Sequence, residues 1–410
     1  MKLYDELKWR GLINDVTSPE LEEKLNQGGL TFYIGTDPTA DSLHIGHFSS
    51  LLCAKRLKEH GHHPIMLVGG ATGFIGDPKA SGERNMLSKE VLRHNYEKLS
   101  EQIERLFGFT MVNNLDWTKD ITVIDYLRDY GKFFNVGYML SKDTVKRRLE
   151  SGISYTEFSY MILQSLDFLH LYEHYNCTLQ LGGQDQWGNI TSGLELIRKK
   201  HGADVACYGL TMPLITKADG TKFGKSEAGT VWLDQEKTSA YEMYQFLVNS
   251  EDEKVIDYLK KLTFLSKAEI EALEKAVQTQ PHKREAQKAL AKEVVTFLHG
   301  EAAYETAMRI TNALFGGDVK ALRLTERRDA LKSFAAVDVD DAIKCIDFLV
   351  NGKVAASRRE AREWLKQGSI QINGVKVQDE NQIISKADAL VDDLHLVKRG
   401  KRNYSVIRQH

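Results

Sequence analysis

The sequence predicts an α/β protein with three parts: a parallel sheet with crossover helices, an all-helical stretch, and a small α+β unit. Three observations carry this. Up to about residue 225, short apolar runs bounded by turn residues alternate with segments of helical spacing, the pattern of strand–helix–strand units. From about Tyr241 to Phe315 only the helical period remains. After Asp341 a short helix, a glycine and an Asn-Gly hairpin signal follow one another. At 410 residues the chain is too long for one ordinary core.

The candidate strands are Leu30–Gly35, Pro64–Gly69, Thr110–Asn113, Leu179–Gly182 and Ala206–Leu210. Leu30, Phe32 and Ile34 lead into a turn at Pro38, which has no backbone donor and ends strand pairing. From Ser42 through Phe48, Leu51, Leu52 and Leu57 the spacing is helical. His44 and His47, three apart, therefore share one face of a first helical turn. The unpaired N–H groups and positive dipole end of such a turn suit a polyphosphate. Gly46, between the histidines, allows a base or a backbone to come close. In the helical stretch Tyr241, Tyr244, Leu247 and Val248 share one face, and the helical spacing from Ile270 to Leu298 breaks near Pro281. A linker is expected over 321–340, after Gly316-Gly317 and ending on the acidic Val337-Asp338-Val339-Asp340 run.

Bulk properties exclude several classes. Charged residues make up 27%, no apolar run has membrane-spanning length, and Met1-Lys2-Leu3-Tyr4-Asp5-Glu6 is no signal peptide, so a cytoplasmic protein is expected. Cys53, Cys177, Cys207 and Cys345 are scattered without the short spacing of a metal knuckle, which reads as reduced structural thiols. The net charge of −2 is uneven: residues 341–410 hold 13 Lys+Arg against 9 Asp+Glu. A basic tail on an acidic body suits a protein that meets RNA locally. In that tail Arg358, Arg359 and Arg362 lie on one short helix, and Lys398-Arg399-Gly400-Lys401-Arg402 forms a basic run.

Four motifs carry chemistry. The polar stretch Lys217-Ala218-Asp219-Gly220-Thr221-Lys222-Phe223-Gly224-Lys225-Ser226 has two lysines three apart and looks like a mobile clamp for anions. It is not a phosphate-binding P-loop, because Asp219 stands where that loop needs glycine. Gly70, Gly73 and Gly76 have the wrong spacing for a nicotinamide site. Tyr160, Gln164 and Asp167, four and three apart, project from one face of an otherwise apolar helix and must find buried partners. Gln180-Leu181-Gly182-Gly183-Gln184-Asp185-Gln186 follows a strand, and its glycines let backbone approach a ligand.

The His-Ile-Gly-His and Lys-Phe-Gly-Lys-Ser elements together resemble the two signatures of class I aminoacyl-tRNA synthetases. The stretch between them resembles bacterial-type tyrosyl-tRNA synthetases. That resemblance implies a Rossmann-like catalytic domain over 1–226, a helical tRNA anticodon-side domain over 227–320 and a small RNA-binding domain over 341–410. The tail's helix, glycine and hairpin are similar to a small RNA-binding fold shared by a ribosomal small-subunit protein and pseudouridine synthases. The implied reaction joins tyrosine to ATP, releases pyrophosphate, and passes the tyrosyl group to the terminal ribose of its tRNA. ATP is then a substrate, with Mg2+ carried on it, no resident metal is expected, and the enzyme is expected to be a homodimer.

By the same resemblance, Tyr33 and Asp167 take the phenolic hydroxyl of tyrosine. Asp77, Tyr160 and Gln164 take its ammonium, and Gln180 and Gln186 contact it too. Gly35, Asp37, His44, Gly46, His47, Gly183, Asp185 and Lys225 bind ATP. Thr39, His44, His47, Lys222, Lys225 and Ser226 stabilise charge on the phosphates, and Arg358, Arg359 and Arg362 meet RNA. Three departures stand out: Ile34 replaces a small polarisable residue near the ribose, and Phe223-Gly224 replaces Met-Ser. The loop Pro78–Arg84 is one residue short, so Lys79 and Arg84 receive no role. The rivals are a tryptophan-specific relative and an RNA-binding homologue without catalysis. Tyr33 with Asp167 favours a phenol, and a pure binder has no use for His44, His47, Lys222 and Lys225.

Overall fold

The computed structural model describes residues 1–78, 86–149, 152–226, 229–316, 318–332, 334–400 and 403–410, with the side chains of 143, 144, 225 and 226 excepted. The chain forms two compact units. One holds Met1–Lys225, Thr230–Asp234 and Glu251–Ala286; the other holds Ser226–Gly229, Gln235–Ser250 and Gln287–His410. The helical stretch expected over 227–320 is thus shared between them.

The first unit is built on six strands: β1 (Asp15–Val16), β2 (Thr31–Thr36), β3 (His63–Val68), β4 (Thr110–Asn113), β5 (Cys177–Gly183) and β6 (Tyr208–Met212). Their order is β1-β6-β5-β2-β3-β4. β2 to β6 are parallel, and Phe32, Leu179, Leu181 and Leu210 on them are almost wholly buried, as strands covered on both faces must be. β1 adds an antiparallel edge, with Asp15 opposite Thr211. Two residues are too few to leave a strand pattern in the sequence. The major helices are α1 (Ile45–Glu59), α2 (Lys89–Phe107), α3 (Tyr155–Tyr175) and α4 (Trp187–His201). From β2 the chain moves outward through β3 to β4, whereas from β5 it moves the other way to β6. This reversal opens a crevice beyond the carboxyl ends of β2 and β5.

α1 begins at Ile45, three residues later than its spacing suggested. Ile45 N–H donates to the Val231 carbonyl at 2.9 Å, and Leu233 N–H to Leu43 at 2.8 Å. That pairing holds His44 in extended geometry, φ −113° and ψ 165°, as the residue capping the helix. All four cysteines are buried free thiols, and burial pushes Cys53, Cys207 and Cys345 up to about 12. No helix of the described residues is long and apolar enough to cross a membrane.

In the second unit α5 (Ala240–Val248) packs against α6 (Glu301–Gly316), burying Tyr241, Tyr244 and Leu247. The stretch 321–340, expected as a linker, carries α7 (Leu324–Lys332) and β7 (Ala336–Val339). Ala330 and Leu331 are buried there, and Glu326 holds Arg309 at 2.6 Å. β7 is the edge of a five-stranded sheet with β8 (Ile370–Ile372), β9 (Val375–Lys376), β10 (Leu394–Arg399) and β11 (Asn403–Gln409), ordered β9-β8-β10-β11-β7. Asn373 and Gly374, φ 52° and 82°, make the tight turn between β8 and β9 with both residues left-handed. α8 (Cys345–Asn351) and α9 (Arg358–Lys366) complete the core through Phe348, Leu349, Ala361 and Leu365.

Candidate active site

The carboxyl ends of β2, β3, β4 and β5, together with α3, build a buried polar network. Asp167, on α3, is 2% exposed. Its carboxylate accepts from Asn114 Nδ2 and Trp117 Nε1, each at 3.0 Å. Burial raises its pKa to about 7; those two hydrogen bonds pull the other way, and the Asp37 charge adds to the rise. Tyr33, on β2, points into the same interior. Its hydroxyl is buried with no hydrogen-bond partner among the described residues, and burial plus the Asp167 charge hold its pKa well above the ordinary phenol value. Gln180 Oε1, on β5, is a second buried acceptor without a partner there. A folded chain seldom leaves such groups unpaired unless something else completes them.

From Asp167 the network runs on through Asn114 Nδ2 to Thr72 Oγ1 at 3.0 Å, and from Thr72 to Asp37 at 2.8 Å. Tyr160 OH, two turns before Asp167 on α3, donates to the other Asp37 oxygen at 3.1 Å. Asp37, expected beside ATP, is therefore held by Thr72 and by Tyr160, which was expected at the ammonium of tyrosine. Gly69 keeps this close approach possible, because a Cβ there would fall 2.4 Å from Asp37 Oδ1. A second cluster lies beside it. Gln186 Nε2 donates to Asp77 at 2.8 Å, Gln164 Nε2 donates to Gln186 at 3.2 Å, and Asn189 Nδ2 reaches Gln164 Oε1 at 2.9 Å. Burial raises Asp77 to about 6 against the pull of Gln186 and Asn189, with Asp37 and Asp185 adding to the rise. A cation beside a buried carboxyl of this kind favours its charged form.

The helix cap at the start of α1 differs. Nδ1 of His44 accepts from Gly46 N–H at 3.1 Å, and Nδ1 of His47 accepts from His44 N–H at 3.3 Å. The rings stack at 3.8 Å. Histidine thus does the work usually given to serine and glutamate in a reciprocal helix cap. An Nδ1 that accepts leaves the ring proton on Nε2, so each imidazole presents an N–H donor on its far side. Burial, with His44 adjacent, lowers His47 to about 3, so it stays a neutral donor. Asp185 is exposed just after β5, and a Cβ on Gly183 would lie 2.6 Å from its carboxylate. Gly35 is exposed at the end of β2, and exposed Thr39 follows, its N–H bonded to Asp37 O at 2.8 Å.

The second signature is less free than its polarity suggested. Phe223 is 6% exposed and packs against the Tyr258 ring, tilted by 39° at 4.4 Å between centroids. Gly224, φ +106°, packs so closely on α1 that a Cβ would meet Ile45 Cγ2 at 2.8 Å. Lys222 is exposed; the side chains of Lys225 and Ser226, like the whole of Lys79, Arg84, Lys401 and Arg402, lie outside the described residues. In the tail, Arg358 pairs with Asp347 at 2.6 Å and Arg362 with Glu380 at 2.5 Å, while Arg359 is exposed beside them.

The site also uses residues the sequence reading missed: Thr72, Asn114, Trp117 and Asn189. Asn114 and Trp117 follow β4 where a ligand crevice opens, and Asn189 is three beyond Gln186 at helical spacing. Those positions were the available signals.

The family described as "tRNA synthetases class I (W and Y)" matches residues 25–316, and the "Tyrosine--tRNA ligase SYY-like C-terminal domain" matches 326–407. The chain is 51% identical to the tyrosine–tRNA ligase of Staphylococcus carnosus over 99% of both chains, and 49% identical to that of Listeria monocytogenes serotype 4a at the same coverage. Among solved structures it resembles a C-terminally truncated mitochondrial tyrosyl-tRNA synthetase of Aspergillus nidulans. That match has a TM-score of 0.69 at 30% identity, covering 77% of this chain and 94% of that one. Fold, crevice and paired signatures define a class I aminoacyl-tRNA synthetase, and the chain belongs to the bacterial-type tyrosine–tRNA ligase family.

Proposed function

We propose that the buried network reads tyrosine at both ends and that the two signatures then activate it with ATP. The observation that carries this reading is the unpartnered Tyr33 hydroxyl beside the buried Asp167 carboxylate. A substrate phenol would donate to Asp167 and accept from Tyr33. Phenylalanine would leave the Tyr33 hydroxyl unpaired and would bring Asp167 no donor beyond Asn114 and Trp117. At the other end the substrate ammonium meets Asp77, Tyr160 and Gln164, stabilising the Asp77 charge that burial opposes. Gln180 and Gln186 complete the enclosure.

The tyrosine carboxylate is itself the nucleophile on the α-phosphate, and pyrophosphate leaves. A ribose hydroxyl of the tRNA end then attacks the tyrosyl carbonyl, and AMP leaves. The chain's part in the first step is orientation and donor supply. The Nε2–H groups of His44 and His47, Thr39, and the cations Lys222 and Lys225 with Ser226 face the phosphates. Gly35, Asp37, Gly46, Gly183 and Asp185 receive the nucleoside. Magnesium enters on the ATP phosphates. Arg358, Arg359 and Arg362 serve tRNA. We assign the reaction to the cytoplasm, where ATP and tRNA meet. We further propose a homodimer, for which Val123, Ile124, Leu127 and Val136 are exposed apolar side chains able to meet a second copy of the chain.

Amino-acid-dependent pyrophosphate exchange tests the reading. Exchange with tyrosine, and neither with tryptophan nor comparably with phenylalanine, is expected. Equal exchange with phenylalanine would remove Tyr33 and Asp167 from the specificity role.

A further inference from the structure

The arm that delivers the second signature to the first rests on a short helix, Val255–Leu262, and on the turn before it. Tyr258, 1% exposed, donates its hydroxyl to the Thr216 carbonyl at 3.0 Å and packs its ring, tilted, against Phe223. One turn earlier Lys254 Nζ lies 3.5 Å from Thr216 Oγ1, and the Glu251 carboxylate accepts from Ala218 N–H at 2.8 Å. Thr216 is bridged to Lys222, and Phe223 N–H returns to the Ile215 carbonyl at 3.1 Å. The arm 215–223 is therefore closed on itself and seated on residues 251–258.

From this seat the chain runs directly into the first signature. The Gly224 carbonyl accepts from Val231 N–H at 3.0 Å, and the Val231 carbonyl accepts from Ile45 N–H at the start of α1. A Cβ on Gly46 would meet the Phe223 carbonyl at 3.4 Å. The far end of the same short helix is tied back to α1, since Arg56 Nη2 donates to the Thr263 carbonyl at 2.6 Å. Arg10 joins this anchorage through Thr263 and Leu265 at 3.3 and 2.7 Å. Both ends of α1 are thus linked to Val255–Leu262.

We infer that Tyr258 is a positioning residue for adenylate formation: it fixes the arm so that Lys222 and Gly224 keep their places against the helix cap of His44 and His47. The inference rests on the proposed phosphate role of those residues. Tyr258 touches no substrate; it acts through Thr216 and Phe223.

Tyr258→Phe keeps the ring and removes the hydroxyl, so the core is retained. The pyrophosphate-exchange kcat is expected to fall about tenfold through the unpaired Thr216 carbonyl, while the KM for tyrosine stays within about twofold. Glu251→Ala, on the exposed end of the seat, is expected to give a smaller loss with the same split. Combined with Lys222→Ala, Tyr258→Phe should cost less than the product of the two single losses, because both act on one arm. An unchanged kcat, an equal change in tyrosine KM, or a fully multiplicative double variant overturns the positioning role. If Lys222→Ala alone keeps the full exchange rate, the phosphate assignment itself fails, and that result is separable from the others.

Discussion

The proposed amino-acid pocket and the tail helix α9 both present polar side chains at helical spacing, yet they are opposite in kind. On α3, Asp167 and Tyr160 are buried, and each is committed to a named partner in a continuous network. On α9, Arg358 and Arg362 are exposed and answered by the chain's own Asp347 and Glu380. A buried polar group costs free energy until it is paired, so its partners are fixed and a missing one points to a ligand. An exposed ion pair costs little to make or break, so it can be exchanged for another anion. Discrimination belongs to the first kind of surface and exchangeable, salt-sensitive contact to the second.

The comparison breaks most visibly at Asp167. Asp167→Ala leaves the Trp117 indole and the substrate phenol without an acceptor, and leaves the Asn114 amide only Thr72. Losing one buried partner costs roughly 1–3 kcal/mol, so the kcat/KM for tyrosine should fall about a hundredfold. Phenylalanine, which never used the carboxylate, should lose far less. Steady-state exchange with both amino acids measures the ratio, and an unchanged ratio would make Asp167 a purely structural acid.

Asp77 gives the next largest effect, and its sign can be worked out. Its folded pKa, about 6, lies above the ordinary carboxylate value because of burial. As pH falls through that value the carboxyl protonates and loses the charge that an ammonium needs. Tyrosine affinity of the free enzyme should therefore be about tenfold weaker one unit below the transition. Stability of the free protein runs the opposite way. A carboxyl with a raised folded pKa binds its proton more tightly when folded, so this contribution is present at low pH and fades as pH rises through about 6. Tyrosine should consequently raise the melting temperature more at neutral pH than at pH ~5. Asp77→Asn should flatten both profiles, and a profile that survives it has another source.

A smaller effect separates this chain's pocket from its surroundings. Trp117, which donates to Asp167, is stacked on His170 at 4.3 Å, and His170 on His174 at 4.2 Å. His170→Ala should loosen the indole and cost about 1 kcal/mol, the worth of one aromatic pair, or about fivefold in tyrosine kcat/KM. His170→Phe should restore most of it. Equal loss in both variants would show that the imidazole itself is required.

Much of this was legible in the sequence, and the omissions have a common cause. The parallel strands showed because each centres on apolar residues and is bounded by turns. The face of Tyr160, Gln164 and Asp167 showed because polar residues at helical spacing are conspicuous in an apolar helix. Trp117 and Asn114 did not show, because a tryptophan or an asparagine after a strand is ordinary until the fold places it against Asp167. The start of α1 was misplaced because the backbone pairing of Leu43 and Ile45 with residues 231–233 is long-range, and helical spacing cannot reveal it. The stretch 321–340 read as a linker because β7 is an edge strand of four residues, two of them polar or small, whose partner β11 lies about seventy residues on.

The smallest effect on the fold, and the sharpest contrast with Asp167, is expected in α9. Arg358→Ala and Arg362→Ala each remove one exposed pair, worth roughly 0–1 kcal/mol, so the melting temperature should hardly move. The amino-acid site contains neither residue, so tyrosine-dependent exchange should stay at its original rate. If the arginines trade Asp347 and Glu380 for tRNA phosphates, each substitution should weaken tRNA binding. It should also make the logarithm of affinity fall less steeply with the logarithm of salt, by about one unit of slope for each phosphate no longer neutralised. Filter binding over a salt series reads both quantities on the intact protein. Unchanged affinity and slope in the double variant would leave these ion pairs as surface decoration and move the RNA-binding role to another part of the tail. A lost melting transition would instead show that the pairs hold α9 to the core, contrary to their exposure.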